Sequence, residues 1–249
     1  MPGAQKSGTT ALHYFLSKHP QIALPDRQEL HFFDDEEIFA QPVDYGLLHR
    51  HFGLIAKSTI SGEVTPSYLY WKPAMERIRA YNPQIKLVIL LRNPIDRAYA
   101  HWNMQRFKDR EPLDFLPALK EEPRRIAQGL PARRSFGGGG SIESRRFAYL
   151  DRGFYSGQLE RVFNLFPREQ VKIVKFEDFR DRKQEILNAI FDFLGVKHLR
   201  VTRDRDRNVV PYERAMTPEE RKYLAEVFSA EITKVEKMLG WDLEDWKRN

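Results

Sequence analysis

Apolar positions along this chain follow two rhythms, one of strands and one of helices. Lys86 leads into Leu87-Val88-Ile89-Leu90-Leu91, the pattern of a strand buried on both faces of a parallel sheet. Val171 to Phe176 interleaves Val, Ile, Val and Phe with lysine and predicts a second strand. Gln21 to Leu24 and Ser61 to Val64 read as short strands. The helical rhythm begins with Leu12, Phe15 and Leu16 on one face of a helix that stops before Pro20. It returns over Pro73–Tyr81 and over 94–107, where Asn93 suits an N-cap and Pro94 the first helical position. Tyr155, Leu159, Val162, Phe163 and Phe166 mark the next helix. Ile186, Leu187, Ile190, Phe193 and Leu194 mark another, which Gly195 ends. Thr217-Pro218-Glu219-Glu220 has the form of a capping box, opening a long last helix to Leu239 with Gly240 after it. Strands that alternate with helices predict a parallel α/β fold.

Pro112 to Ser144 breaks both rhythms. It is rich in Pro, Gly and Arg and contains the tetraglycine Gly137–Gly140. Such a stretch reads either as a mobile lid or acceptor-binding loop, or as a disordered surface insertion.

Composition narrows the class. With 249 residues, 41% of them hydrophobic, the chain can bury one sizeable core, so residues 1–249 are expected to form a single domain. There is no cysteine, which excludes disulfides and thiolate metal sites. No window approaches the length of apolar sequence that spans a bilayer, and no signal peptide opens the chain. The expectation is either a soluble cytoplasmic enzyme of bacterial type or an excised soluble domain. The net charge of +6 suits a polyanionic ligand. Arginines 124, 125, 133, 134, 145 and 146 flank the glycine run and raise the option of an acidic acceptor. No recognition helix, zinc finger or aromatic ribonucleoprotein pattern accompanies the charge, so nucleic acid is not the expected partner.

Two runs carry the chemistry. Gly3-Ala4-Gln5-Lys6-Ser7-Gly8-Thr9-Thr10 is a small, hydroxyl-rich loop that feeds directly into the first helix. Backbone N–H groups in such a loop converge on an anion, the helix N-terminus adds its dipole, and Lys6 adds a full charge. The usual nucleoside-triphosphate loop places its lysine after the second glycine; here Lys6 precedes Gly8, followed by Thr9 and Thr10. The second run follows the apolar strand. Arg92 sits at its carboxyl end, where open α/β sheets bind ligands, and its planar fork suits a phosphate. The expected fold is α/β, with a P-loop-type central parallel β-sheet flanked by helices.

Together the two runs resemble the sulfotransferases that use 3′-phosphoadenosine 5′-phosphosulfate (PAPS). The resemblance implies that Lys6, Ser7, Gly8, Thr9 and Thr10 bind the 5′-phosphosulfate and Arg92 the 3′-phosphate. It implies PAP as product and no metal. Arg27-Gln28-Glu29-Leu30-His31-Phe32-Phe33-Asp34 is similar to the Glu-x-His-Phe-Phe-Asp segment of the heparan-sulfate branch and its bacterial relatives. That likeness assigns Glu29 as catalytic base, with His31 and Asp34 shaping the site. The role has an independent logic, because a hydroxyl acceptor must lose a proton as its oxygen attacks sulfur. His31, whose unperturbed pKa lies near neutrality, is a further candidate base. Gly62-Glu63-Val64-Thr65-Pro66-Ser67-Tyr68 resembles the family's Glu-Lys-Thr-Pro-x-Tyr stretch. Glu63 there is the alternative base, and Glu63 and Tyr68 are expected to line the acceptor site. Tyr149, Gly153, Tyr155 and Gln158 are similar to the region behind the cofactor in bacterial members. The other histidines, His13 among them, match no motif and read as surface or core residues.

Three departures stand out. Ala100 occupies the position of a family serine that binds the 3′-phosphate, and Val64 that of a frequent lysine. Arg203, Arg205 or Arg207 of the arginine-rich stretch 202–210 could supply the missing contact, with Arg207 named for the cofactor site. The third departure concerns the apolar strand that precedes the lysine loop in the family. Only Met1 to Gln5 precede Lys6 here, so that strand is very short, replaced or lost. The reading is a sulfotransferase acting on a hydroxyl or amine of a glycan or small-molecule acceptor. The rivals are a non-catalytic PAP- or PAPS-binding protein of the same fold and, further off, a P-loop kinase. Oligomeric state is not legible.

Overall fold

In the computed structural model, residues 1–53, 59–128, 146–201 and 211–247 are described. In chain order the elements are α1 (Thr9–Leu16), β1 (Ile22–Ala23), α2 (Glu36–Phe39), α3 (Gly46–His49), β2 (Ile60–Ser61), α4 (Lys72–Tyr81), β3 (Leu87–Leu91), α5 (Pro94–Phe107) and α6 (Phe115–Gln128). There follow α7 (Tyr155–Leu165), β4 (Val171–Lys175), α8 (Phe176–Asp181), α9 (Lys183–Leu194), α10 (Pro218–Leu239) and α11 (Glu244–Lys247). The chain divides into two compact units. Of the described residues, one holds those within 1–91 and 165–201, the other those within 92–128, 146–164 and 211–247.

The first unit is built on parallel pairing. β3 pairs with β4, Leu87 opposite Val171 through Leu91 opposite Lys175, and β1 pairs with β2. The short N-terminal segment lies between β3 and the 65–69 stretch. Gly3 lies parallel to Ile89, with Ala4 N–H donating to the Leu90 carbonyl at 2.7 Å and Leu90 N–H to the Gly3 carbonyl at 2.9 Å. On its other side, the N–H groups of Thr65 and Leu69 donate to the carbonyls of Met1 and Pro2. The strand before the lysine loop is therefore present but very short. Backbone pairing on both sides holds it in place of a long apolar run. Every residue of β3 is buried, as its unbroken apolar run predicts. Val88, Leu90 and Val174 pack with Leu12, Phe15 and Leu16 of α1, Phe179 of α8, and Leu187, Ile190 and Phe191 of α9 into one apolar core. Gly195 ends α9 in the left-handed conformation at φ 78°.

The second unit opens at Arg92, the residue after β3. Asn93 caps α5 by accepting the Ile95 N–H at 3.0 Å, and Pro94 takes the first turn. Its helices pack on large fully buried side chains, Trp102, Phe115, Tyr149, Tyr155, Phe228 and Trp246. Both reciprocal bonds of the Thr217–Glu220 capping box are made at the start of α10. Among the described residues no helix is long and apolar enough to cross a membrane.

The expectation of a lid or loop over 112–144 needs correction in its first half. Phe115–Gln128 is the helix α6, while 129–145 lies outside the described residues. The prolines mislead there. Pro117 falls in the first turn, where a missing N–H is harmless. Pro123 lies in the interior but the buried side chains of Phe115, Ala118, Leu119 and Glu122, at helical spacing, hold the helix against its cost.

Glu122 joins α6 to the chain after the glycine run. Its carboxylate accepts the N–H groups of Leu150 and Asp151 at 2.7 and 2.8 Å. Burial raises its pKa to about 7 against an ordinary 4.5, outweighing the two N–H donors, which pull it down. Between those values the folded chain binds a proton the unfolded chain has released, so this group's contribution to stability falls as pH rises through about 7. Glu122→Gln is expected to flatten that slope, read as the dependence of the urea midpoint on pH between about 5 and 8. An unchanged slope would remove Glu122 as its source.

Candidate active site

The loop before α1 has the features of an anion cradle. Lys6 and Gly8 both take the left-handed conformation, φ 67° and 84°, on either side of Ser7. Gly8 is required by space as well as by φ. A Cβ there would stand 2.7 Å from two ring carbons of Phe176, at the start of α8. Ser7 is fully buried, and its Oγ has no hydrogen-bond partner among the described residues. No side chain caps the N-terminus of α1, which leaves first-turn N–H groups to an external acceptor. An orphaned buried hydroxyl, a glycine that a side chain would crowd, and an uncapped helix are what a phosphate or phosphosulfate needs.

The second element is the segment Glu29–Asp34. Glu29 and His31 take φ 56° and 55°, conformations that cost a non-glycine residue about 1–3 kcal/mol each. Neighbouring groups hold the strain. Glu29 N–H donates to the Val64 carbonyl at 3.0 Å, and the N–H groups of Phe32 and Phe33 both donate to the Tyr68 hydroxyl. Arg77 donates to the Phe33 carbonyl at 3.0 Å. Asp34, fully buried, lies 3.0 Å from His31 Nδ1 and also accepts from the Ser67 hydroxyl. With Nδ1–H donating to Asp34, His31 turns Nε2 toward Glu29, 3.5 Å from its Oε2. The Glu29 side chain is 51% exposed and the His31 side chain 12%. One carboxylate and one imidazole nitrogen thus meet at a solvent-reachable point, backed by a buried aspartate.

Glu63 and Tyr68 take supporting places. Thr65 donates to Glu63 at 2.7 Å, and burial raises the Glu63 pKa. Tyr68 is buried under Phe32 and Phe33, and burial together with the Glu63 charge pushes its hydroxyl well above the usual range. The Tyr68 side chain is buried, while Glu63 is half-buried. Val64 is buried among them, so no cation replaces the family lysine at that position. Ala100 is buried in α5. Arg92 is half-buried, directly after β3, and its carbonyl accepts the Tyr155 hydroxyl at 2.9 Å. Arg203, Arg205 and Arg207 fall outside the described residues. Of the arginines near the glycine run, Arg124 pairs with Glu121 and Arg125 with buried Glu111; Arg133, Arg134 and Arg145 are outside the described residues. Among the described residues no group of three acidic, His or Cys side chains could hold a metal.

Sequence reasoning missed Ser67, Arg77 and the pair His13–Gln28. Ser67 sits at a variable place in the Thr-Pro-x-Tyr stretch, and only the fold brings it to Asp34.

The sulfotransferase domain family matches residues 1–240, and the chain belongs to that family. It is 25% identical to the membrane-associated sulfotransferase kil1 of Dictyostelium discoideum over 97% of this chain and 65% of that protein. It is 28% identical to the bifunctional heparan sulfate N-deacetylase/N-sulfotransferase 2 of Bos taurus over 78% of this chain. The chain spans 65% and 21% of those two relatives' lengths. The crystal structure of a sulfotransferase from Alicyclobacillus acidocaldarius superposes over 100% of this chain and 97% of that one, with a TM-score of 0.81 and 28% identity. The α/β fold is thus that of the sulfotransferases.

Gly8→Ala puts a Cβ against the Phe176 ring and forces a left-handed alanine. It is expected to destabilise the protein by about 1–3 kcal/mol, read by chemical denaturation. Wild-type stability in this variant would show that the loop relaxes freely and is no rigid cradle.

Proposed function

We propose that this protein transfers the sulfuryl group of PAPS to a hydroxyl or amine acceptor, with Glu29 as general base. The observation that carries the reading is the backbone. Among the described residues only four non-glycine residues have positive φ, and three of them are Lys6, Glu29 and His31. Strain held at three chemically apt side chains marks a site, because packing alone would relax it.

The family uses PAPS, which when bound supplies an activated sulfuryl group on a phosphate leaving group. Lys6, the loop N–H groups and the Thr9 and Thr10 hydroxyls would hold the phosphosulfate and stabilise charge on the leaving phosphate. With Val64 buried and apolar, Lys6 carries more of that task than in relatives with a lysine there. Arg92 would hold the 3′-phosphate and so set the register. Glu29 accepts the acceptor's proton. His31, held by Asp34 through Nδ1, lies beside the Glu29 carboxylate and fixes where that proton goes. A half-exposed carboxylate beside an oriented imidazole suits this task better than Glu63, which is tied to Thr65 and whose pKa burial raises. The heparan sulfate relative supports a glycan acceptor, and the net charge of +6 agrees with an anionic one.

The test is thermal unfolding with adenosine 3′,5′-bisphosphate, ADP and Mg-ATP. Saturation at about 100 times Kd adds about 2.7 kcal/mol, and for this size the expected rise is about 5–10 °C with the bisphosphate alone. A rise only with Mg-ATP would overturn the reading in favour of a kinase. Glu29→Gln should keep the bisphosphate-induced rise and lose about 10²–10⁴-fold in kcat. Undiminished kcat in this variant would remove Glu29 from the mechanism.

A further inference from the structure

His13 lies in α1 between Leu12 and the Phe15–Leu16 pair of the apolar core, and is itself buried, with 9% exposure. Its Nε2 is buried with no hydrogen-bond partner among the described residues, a state that costs about 1–3 kcal/mol. The imidazole makes one hydrogen bond of note, to the side-chain amide of Gln28, 2.6 Å from His13 Nδ1. With the Gln28 amide N–H donating, Nδ1 is the acceptor and the ring proton sits on Nε2. Burial lowers the His13 pKa, so the neutral ring needed to accept this bond is the favoured form.

The placement of that bond matters. Gln28 directly precedes Glu29, whose φ of 56° must be held by its surroundings. On the other side, His13 stands four residues after Thr9, about one turn along the helix that begins at the cradle. The Glu29 N–H to Val64 carbonyl bond fixes the segment from one direction. The Gln28–His13 bond fixes it from the other, and does so against the helix that would carry the phosphosulfate.

We propose that His13 is a positioning residue for the reaction. Through Gln28 it locks the strained Glu29 segment to α1, so that base and cradle keep a fixed spacing. The inference rests on the sulfotransferase reading for its kinetic consequence but not for its structural one. A misplacement of about 1 Å at a catalytic group costs about 10²-fold, whereas cradle contacts to the donor do not pass through Gln28.

The test uses His13→Leu, which removes the acceptor, His13→Asn, which keeps a carbonyl oxygen close to the Nδ1 position, and Gln28→Ala on the exposed partner. Two readouts are taken: amide hydrogen exchange of Gln28–His31 in the free protein, and kcat with KM for PAPS. His13→Leu and Gln28→Ala should both speed exchange at Glu29. Each should lower kcat by about 10–100-fold with KM for PAPS unchanged. The double variant should be no worse than either single change, and His13→Asn should recover most of both losses. Wild-type exchange and kcat in Gln28→Ala would overturn the proposal, even if His13→Leu fails to fold. So would His13→Asn as impaired as His13→Leu, which would make the role one of volume. A protein that shows the exchange changes but no bisphosphate binding would leave His13 in its place and sink the sulfotransferase reading instead.

Discussion

The site depends on the backbone pairing of Met1–Ala4. This segment lies in a slot with β3 on one side and the 65–69 stretch on the other, bonded to each. The slot is tight: a Cβ at Gly3 would stand 2.7 Å from the Leu69 Cβ and 3.2 Å from the Pro66 carbonyl oxygen. Two consequences follow. The cradle begins directly after Ala4, so its position is set by the Ala4–Leu90 bond. The 65–69 stretch carries Thr65, Ser67 and Tyr68, three of the side chains that hold the Glu29–Asp34 segment. A few backbone hydrogen bonds thus register the Lys6 loop against the segment that bears Glu29, the proposed base.

Holding three left-handed side chains costs about 3–9 kcal/mol in all, comparable to the whole stability of an ordinary domain. The structure spreads the load over groups removed from solvent. Tyr68 accepts two backbone N–H groups with one hydroxyl, and Asp34 gathers His31 and Ser67. Buried bonds of this kind are costly to leave half-made, which makes the arrangement all-or-none. The loop is therefore specified by the Glu63–Tyr68 stretch more than by its own sequence.

That dependence explains what could be read in advance. Signals that act within one element were legible. The apolar run of β3, the Asn93–Pro94 start of α5, the Thr217–Glu220 box and the left-handed glycines at 195 and 240 all appear where their chemistry places them. Lys6, Glu29 and His31 could be singled out because they lie in short contiguous motifs. What was illegible required a partner distant in sequence. The α6 helix was hidden by Pro123 and by a buried glutamate whose bonds go to Leu150 and Asp151. The first strand was hidden because its stability lies in backbone pairing and not in apolar side chains. His13 looked like a stray core or surface histidine until Gln28 was found beside it.

The two candidate bases show how environment separates residues that sequence leaves equal. Glu29 and Glu63 each sit in a motif with an aromatic and a threonine or histidine nearby. Folding exposes half of the Glu29 side chain beside His31 Nε2 and ties half-buried Glu63 to Thr65, where desolvation raises its pKa. A general base for an external acceptor must be reachable and must start deprotonated. Glu29 meets the first demand with half of its side chain exposed, the raised pKa of Glu63 works against the second, and the Glu63 bond with Thr65 serves the segment on which Glu29 is carried. On the proposed function, one carboxylate meets the acceptor and the other supports the frame that aims it.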